Sequence, residues 1–298
     1  MIAEKARVSV LVGLAAKTKD YVQLLKLRLS LVVVFSAGIT YLMAQQGTWD
    51  LAQFVLFCLG GLLVTGAANI INQVWERDLD KLMRRTMDRP LPTGRLTPAE
   101  AITFGSVIGV VGLLLLSFNG GILAALLSFL SMLLYGFVYT PMKVRSPLAV
   151  LVGALPGAMP PLIGWAAATG TLGLEALILF GIQFVWQFPH FWAIAWVADE
   201  DYRRAGFKLL PSGGGRDLNT AFQIMIYTLL LLPLGLMPAL LGITGLRSAI
   251  IATICGTLFL IQTFQLMRDG SRKSALRIMF GSFLYLPIVQ IAYLWDKV

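Results

Sequence analysis

Residues 65–95 read TGAANIINQVWERDLDKLMRRTMDRPLPTGR, an apolar segment that ends in a dense mixture of charges. Taken as a helix, Thr65, Asn69, Asn72, Glu76 and Asp80 stand three or four residues apart and share one face. That face is polar within an otherwise apolar run. Arg77, Lys81, Arg84, Arg85 and Arg89 follow or interleave with it, so the carboxylates of Glu76 and Asp80 lie among cations. Carboxylates spaced this way at the end of a membrane span suit Mg²⁺, a hard ion that takes oxygen ligands through one or two carboxylates plus substrate phosphate. The neighbouring cations suit a polyanion. The alternative is a helix end capped by solvated ion pairs, Glu76 with Arg77 or Lys81 and Asp80 with Arg84. Asn69 and Asn72 weigh against it, because unpaired amides deeper in an apolar segment are costly.

Composition sets the environment. Of 298 residues, 57% are hydrophobic and 13% charged, and the mean hydropathy is +0.78. A chain this apolar is a membrane protein. Its formal charge of +9 does not indicate nucleic acid, because the charges punctuate apolar runs instead of forming a basic face. Cys58 and Cys255 each lie inside an apolar segment without a C-x-x-C partner, so neither a disulfide framework nor a zinc site is expected.

A span needs about 20 mostly apolar residues. The sequence offers nine such stretches, at 25–44, 52–72, 99–118, 121–139, 147–168, 174–197, 219–241, 247–266 and 275–295. The expected fold is therefore all-α, a polytopic membrane protein of nine transmembrane helices around a central cavity, with the whole of 1–298 as one domain. Pro156, Pro160, Pro161, Pro189, Pro233, Pro238 and Pro287 mark expected kinks. Placing the amino terminus in the cytoplasm puts every Lys and Arg on that side except Arg247 and Lys297, the bias that orients membrane proteins. Residues 1–24 carry Lys5, Arg7, Lys17 and Lys19 around an apolar patch at 8–16, with no small-residue cleavage site after it. They read as a cytoplasmic arm, amphipathic on the membrane surface. The absence of a long Arg- and Ser-rich transit segment favours a bacterial plasma membrane, with the charged loops cytoplasmic.

A second charged loop follows the sixth stretch, ADEDYRRAGFKLLPSGGGRD at 198–217, on the same side of the membrane as the first. Gln183, Gln187, His190 and Asp201 share one face of an ideal helix leading to it. The second and sixth spans thus each carry a polar stripe descending into a charged loop, which suggests two similar halves, spans one to four and five to eight. After the fourth span, Tyr139 and Lys143 stand four apart, either interfacial anchors or a third part of the same site. His190 is the only histidine; it is either a hydrogen-bonded structural residue or a ligand.

Asn72-x-x-x-Glu76-x-x-x-Asp80, followed by Arg85-Thr86 and Arg89-Pro90-Leu91-Pro92-x-Gly94, resembles the first N-x-x-x-D-x-x-x-D signature of the UbiA superfamily of intramembrane prenyltransferases. Tyr139-x-x-x-Lys143 is similar to its Y-x-x-x-K element. Within the superfamily, residues 75–95, GALPGAMPPLIGWAA at 153–167 and WQFPHFWAIAW at 186–196 resemble the heme O synthases. Two departures stand out. Glu76 replaces an aspartate of the pattern, and the second D-x-x-x-D is not intact, with Val197 and Ala205 four residues either side of Asp201. Asp199 is the candidate substitute.

The resemblance implies transfer of a farnesyl group from farnesyl diphosphate to a vinyl group of protoheme IX, with water added, giving heme O. It implies that Glu76 and Asp80 ligate Mg²⁺, that Asn72 orients or ligates, and that Asp201 completes a second ion or positions a water. Arg77, Arg89 and Lys143 would hold diphosphate oxygens beside Tyr139, and Arg84 and Arg85 would face lipid headgroups. His190 would meet the heme, as an axial ligand or as a polar contact near the vinyl group. Heme A synthase or a terminal oxidase is the partner such chemistry implies. Two rivals remain: a polyprenyltransferase acting on a quinone or chlorin precursor, and a secondary transporter with ion-binding carboxylates.

Overall fold

The computed structural model describes residues 16–212 and 215–298; the apolar patch and the first cations of the expected amino-terminal arm lie outside the described residues. Apart from one isolated bridge between Thr244 and Lys297, the described residues form helices and loops. Among the described residues, eight helices are long and apolar enough to cross a membrane. Their outward surface is apolar: Phe118, Ile122, Leu126, Leu258 and Leu284 are each more than half exposed, as side chains facing lipid are.

The third of the eight, Pro98–Met142, is 45 residues long and is two helices in sequence. Gly121 interrupts it with φ 79° and ψ 164°, a conformation essentially confined to glycine. The chain reverses there. Gly105 packs on Ile70 and Gly136 on Ile71, so residues on either side of the break lie level beside the same helix. Counted as two limbs, the segment covers the third and fourth stretches of the hydropathy pattern, and the limbs and helices are numbered in chain order. They are α1 Leu27–Ala44, α2 Leu51–Trp75, α3 98–120, α4 122–142, α5 Ala149–Thr169, α6 Leu174–Val197, α7 Leu218–Leu240, α8 Leu246–Asp269 and α9 Arg272–Trp295. Every expected kink-forming proline sits inside a helix, in α5, α6, α7 or α9, and a non-helical residue interrupts the long segment at Gly121.

Packing follows chain order into a closed ring. The α3/α4 hairpin lies on α2, α5 joins α4 to α6, and α7, α8 and α9 follow, with α9 returning to α1. Across the ring α1 also meets α5, and α6 meets α9. Where those four cross, a buried polar cluster ties them. Gln183 Oε1 accepts from Ser36 Oγ at 2.7 Å and from Gln290 Nε2 at 3.0 Å, while the side-chain amides of Gln183 and Gln187 both donate to the Gly157 carbonyl. Interhelical amide bonds of this kind supply specificity in lipid, where apolar surface alone cannot choose a partner.

The two halves echo one another where it matters for the site. Helix α2 ends at Glu76 (φ −92°, ψ 6°) and is followed by a short helix Arg77–Asp80; α6 ends at Ala198 (φ −97°, ψ 12°) and is followed by a short helix Asp199–Arg204. Near-identical breaks thus aim two short acidic helices out of two long apolar ones. Residues 16–24 are helical and dock on the protein: Leu24 is fully buried among Ile70, Leu91, Leu96 and Ala101, and Tyr21 packs on Phe104.

The α1–α5 crossing depends on Gly164, where a Cβ would overlap the Ala37 carbonyl and the Thr40 hydroxyl. Gly164→Ala should destabilise the protein by about 1–3 kcal/mol, the usual cost of overpacking. Gly181→Ala, where nothing lies within 4 Å of the added carbon, should not. Thermal unfolding in detergent compares the two.

Candidate functional site

The break at Glu76 sorts the charges of the first loop. Glu76 and Asp80 remain one turn apart, the Asp80 amide donating to the Glu76 carbonyl at 2.7 Å, and both side chains are buried. Arg77 and Lys81 turn the other way and pair with exposed Asp78 at 3.0 and 2.8 Å. Asn69, Asn72, Glu76 and Asp80 of the expected stripe are all buried, and Arg77, interleaved with them in sequence, does not join them.

Each inward carboxylate meets a cation from elsewhere. Glu76 Oε1 is 2.8 Å from Lys143 Nζ, with both side chains at most 10% exposed. Lys143 is delivered by the end of α4, which passes through a π-helical turn, Leu134–Tyr139, an irregularity common at functional sites. Its ammonium lies 4.7 Å over the Tyr139 ring and 5.6 Å from that of Phe207. Asp80 Oδ2 accepts from Arg89 at 2.7 Å, and Thr86 Oγ1 donates to the Asp80 carbonyl at 2.9 Å, folding the loop back over the short helix. The other oxygen, Asp80 Oδ1, is buried with no donor.

Lys26 completes the group, and the sequence reading had counted it only as a cytoplasmic charge. It is the one described non-glycine residue with positive φ (φ 47°, ψ 52°), at a break between the helix 16–24 and α1. The polar stripe of α2 holds that break open. Gln73 donates to the Leu24 carbonyl at 2.7 Å, and Asn69 to the Leu25 carbonyl at 3.3 Å and to Ser30 Oγ at 3.1 Å. The carbonyls that the break leaves without helical partners are thereby satisfied. Lys26 Nζ then donates to Asn72 Oδ1 at 2.9 Å, and Asn72 Nδ2 donates to Thr140 Oγ1 at 3.2 Å. Asn72 thus bridges the entry to α1 and the end of α4.

The two lysines differ in their electrostatics for a plain reason. Burial pulls Lys143 down, but the Glu76 carboxylate more than reverses it, leaving its pKa above the ordinary lysine value. Lys26 has only an amide for a partner. Its enclosure first, and Arg89 and Lys143 after that, push its pKa down to about 7.

The second loop docks beside this group without entering it. Asp201 Oδ1 accepts from the Arg84 amide at 3.4 Å and lies 3.7 Å from Arg204. Arg85 stacks 4.7 Å over Tyr202, and the Lys208 amide donates to the Lys143 carbonyl at 2.7 Å. The charged loops therefore share one end of the molecule. Among the described residues, however, no three carboxylate, histidine or cysteine side chains converge as a metal site, so Asp201 is not assembled with Glu76 and Asp80. Its carboxylate meets the Arg84 backbone amide and the Arg204 guanidinium instead. Asp199, the candidate substitute ligand, is buried and pairs with Arg203 at 3.1 Å and Arg216 at 2.9 Å. A cavity of about 490 Å³ opens here, lined by Asp199, Tyr202, Lys208 and Ser212, next to the group and not on it.

The donor set can hold a hard dication only in part. Two neighbouring carboxylates with one unpaired buried oxygen fit Mg²⁺ whose remaining ligands are substrate phosphate and water. The arrangement as a whole gathers three cations around two carboxylates, which suits a bound polyanion. His190 stands apart, in α6, with Nδ1 2.8 Å from Ser282 Oγ of α9.

Comparison with known proteins bears on the chain as a whole. The profile of the UbiA prenyltransferase family matches residues 31–286. A protoheme IX farnesyltransferase of Cytophaga hutchinsonii is 52% identical over 285 residues, covering 96% of this chain and all of the relative. One from Christiangramia forsetii is 41% identical, covering 95% of each. Among solved structures, a digeranylgeranylglyceryl phosphate synthase superposes with a TM-score of 0.77 at 21% identity, covering 94% of this chain and 98% of the other. A UbiA homolog from Archaeoglobus fulgidus, bound to DMAPP and Mg²⁺, superposes with a TM-score of 0.66 at 17% identity, covering 92% and 99%.

The buried pair gives a direct test of the geometry. Lys143→Met leaves Glu76 unpaired and should cost about 3–5 kcal/mol of stability, whereas adding Glu76→Gln should recover most of it. Denaturation of the two single variants and the double variant measures the coupling.

Proposed function

The chain belongs to the UbiA prenyltransferase family, and within it we propose that the inward-facing group at the charged end of the ring transfers a farnesyl group from farnesyl diphosphate to a vinyl group of protoheme IX, with addition of water, yielding heme O and diphosphate. The observation that carries the diphosphate half is the excess of cations, Lys26, Arg89 and Lys143, around Glu76 and the half-satisfied Asp80. The acceptor half rests on full-length relatives named for protoheme IX.

Each residue then has a task. Glu76 and Asp80 would hold Mg²⁺, and Asn72 keeps Lys26 and Thr140 in place beside them. With Lys26 protonated, three cations against two carboxylates leave one positive charge; a single Mg²⁺ raises that to three, which a fully ionised alkyl diphosphate would cancel. Bound Mg²⁺ supplies Lewis-acid stabilisation of the negative charge that grows on diphosphate as the allylic C–O bond breaks. Lys26, Arg89 and Lys143 hold that charge at fixed positions out of bulk water, where such contacts are strongest. The apolar ring keeps water from the farnesyl cation until its terminal carbon bonds the outer vinyl carbon. Water then adds to the inner vinyl carbon and a proton is released, which balances the reaction. Binding of diphosphate beside Lys26 also supplies the anion that its ammonium lacks. Asp201 and Arg85 hold the second loop against the first, and Arg77, paired with Asp78, takes no part.

The chain is a multi-pass membrane protein. We place nine crossings in a bacterial plasma membrane, with the amino terminus and both charged loops cytoplasmic, on the asymmetry of Lys and Arg. Heme A synthase or a terminal oxidase is the expected recipient of the product.

Purified protein incubated with protoheme, farnesyl diphosphate and Mg²⁺ should yield heme O by mass analysis, and none with EDTA or with 4-hydroxybenzoate replacing heme. Asp80→Asn and Lys26→Ala should each lower kcat/KM about 10²–10³-fold, as loss of one charge-stabilising contact does. Arg77→Ala should stay near wild type. Prenylation of 4-hydroxybenzoate in place of heme would refute the assignment.

A further inference from the structure

We propose that His190 ligates the iron of the porphyrin substrate through Nε2, with Ser282 as the positioning residue that fixes its tautomer. The inference rests on protoheme as the acceptor.

Hydrogen-bond accounting leads to the tautomer. Ser282 Oγ donates its single hydrogen to the Met279 carbonyl at 2.6 Å. Toward His190 Nδ1, 2.8 Å away, it can therefore only accept, so Nδ1 carries the proton and the lone pair of the neutral ring lies on Nε2. Among the described residues nothing hydrogen-bonds Nε2, and it is not among the fully buried atoms that lack partners, so it keeps some accessible surface. A ring nitrogen held by a second residue while the other is left bare is how proteins prepare histidine for a metal. Imidazole is also a standard ligand of heme iron.

The ring is held rigidly. It stacks on Trp186 with centroids 4.3 Å apart and meets Phe191 and Phe283 edge-on at 5.3 and 5.2 Å. Trp186 Nε1 donates to the Ser282 carbonyl at 3.1 Å, so the same turn of α9 that orients the imidazole also seats α6. A residue needed only for packing between apolar helices would gain nothing from a bare, accessible nitrogen.

Position favours a ligand as well. His190 lies seven residues from Gln183 along α6, and Phe283 seven from Gln290 along α9; seven residues are close to two full turns, about 10 Å, so each pair shares a face. Gln183 and Gln290 are buried in the cluster where the helices cross. Two turns nearer the charged loops, on the same faces, His190 is only partly buried and Phe283 is 45% exposed. The helices stay in contact at His190, whose Nδ1 meets the fully buried Ser282, yet the imidazole there keeps part of its surface accessible. An aromatic-flanked imidazole with one unpartnered nitrogen suits the iron of a flat metalloporphyrin, and it lies on the side of the cluster where the diphosphate group sits.

The test uses the full chain in detergent, titrated with ferric protoheme and separately with iron-free protoporphyrin IX, followed by optical spectra. Wild type should show a Soret band shifted from that of free heme. His190→Ala should lose that shift and bind heme at least tenfold more weakly, while its affinity for protoporphyrin IX stays unchanged. In His190→Gly, added imidazole should restore the wild-type spectrum. Ser282→Ala should weaken heme binding several-fold with an altered Soret position, and Ser282→Thr should restore both. An unchanged Soret band and heme affinity in His190→Ala would overturn ligation, as would equal losses for heme and protoporphyrin IX. Measuring farnesylated heme in the same wild-type preparation separates the two ideas. Product without His190-dependent spectra sinks the ligand alone, and His190-dependent spectra without product sink the proposed reaction.

Discussion

The central constraint on this protein is electrostatic: two carboxylates and three cations must be kept at the edge of a bilayer, out of bulk water, with the cations in excess. A buried ion is costly unless it has a partner. Glu76 and Asp80 provide partners for Lys143 and Arg89, and the surplus falls on Lys26, which rests against the Asn72 amide. The group is stable enough to exist and incomplete enough to attract an anion. Much of the surrounding structure can be understood as what is needed to hold that imbalance in place.

Three long helices break to do so. Helix α2 stops at Glu76 so that two acids stay inside while their neighbours turn out to solvent. Helix α4 slips through a π-turn before releasing Lys143. The chain entering α1 takes a left-handed residue at Lys26, and Asn69 and Gln73 bind the carbonyls that this leaves free. In lipid a broken helix survives only where its backbone polar groups are satisfied by protein or water. The asparagines and glutamine of α2 are therefore as much a part of the site as the acids. Deeper in the ring, Ser36, Gln183 and Gln290 join α1, α6 and α9 by side-chain hydrogen bonds, and nearer the loops His190 and Ser282 join α6 and α9 again.

Much was legible in the sequence. Nine apolar stretches, the polar face of residues 65–80, and the choice of Glu76, Asp80, Arg89 and Lys143 as candidates follow from span length, helical repeat and the resemblance to intramembrane prenyltransferases. Even the hairpin break appears between 118 and 121, because Gly120-Gly121 interrupts an otherwise continuous apolar run. The misplacements share one cause. Arg77 was grouped with Glu76 by adjacency, and Asp201 with Gln183, Gln187 and His190 by an ideal wheel, yet both helices end before those residues, at Glu76 and Ala198. Past a break, the periodicity that predicts a shared face no longer holds.

Sequence alone determined the solvent, the spans and the kind of chemistry, since these depend on hydropathy, period and residue type, which are local quantities. Tertiary structure decided which charges meet. Lys26 reaches Asn72 across 46 positions and Lys143 meets Glu76 from a helix two passes later. Asp199 is claimed by Arg216, and the bare nitrogen of His190 is chosen by a serine 92 residues away. No local rule contains those pairings, because they exist only once the ring has closed and each buried charge has been forced to find its partner.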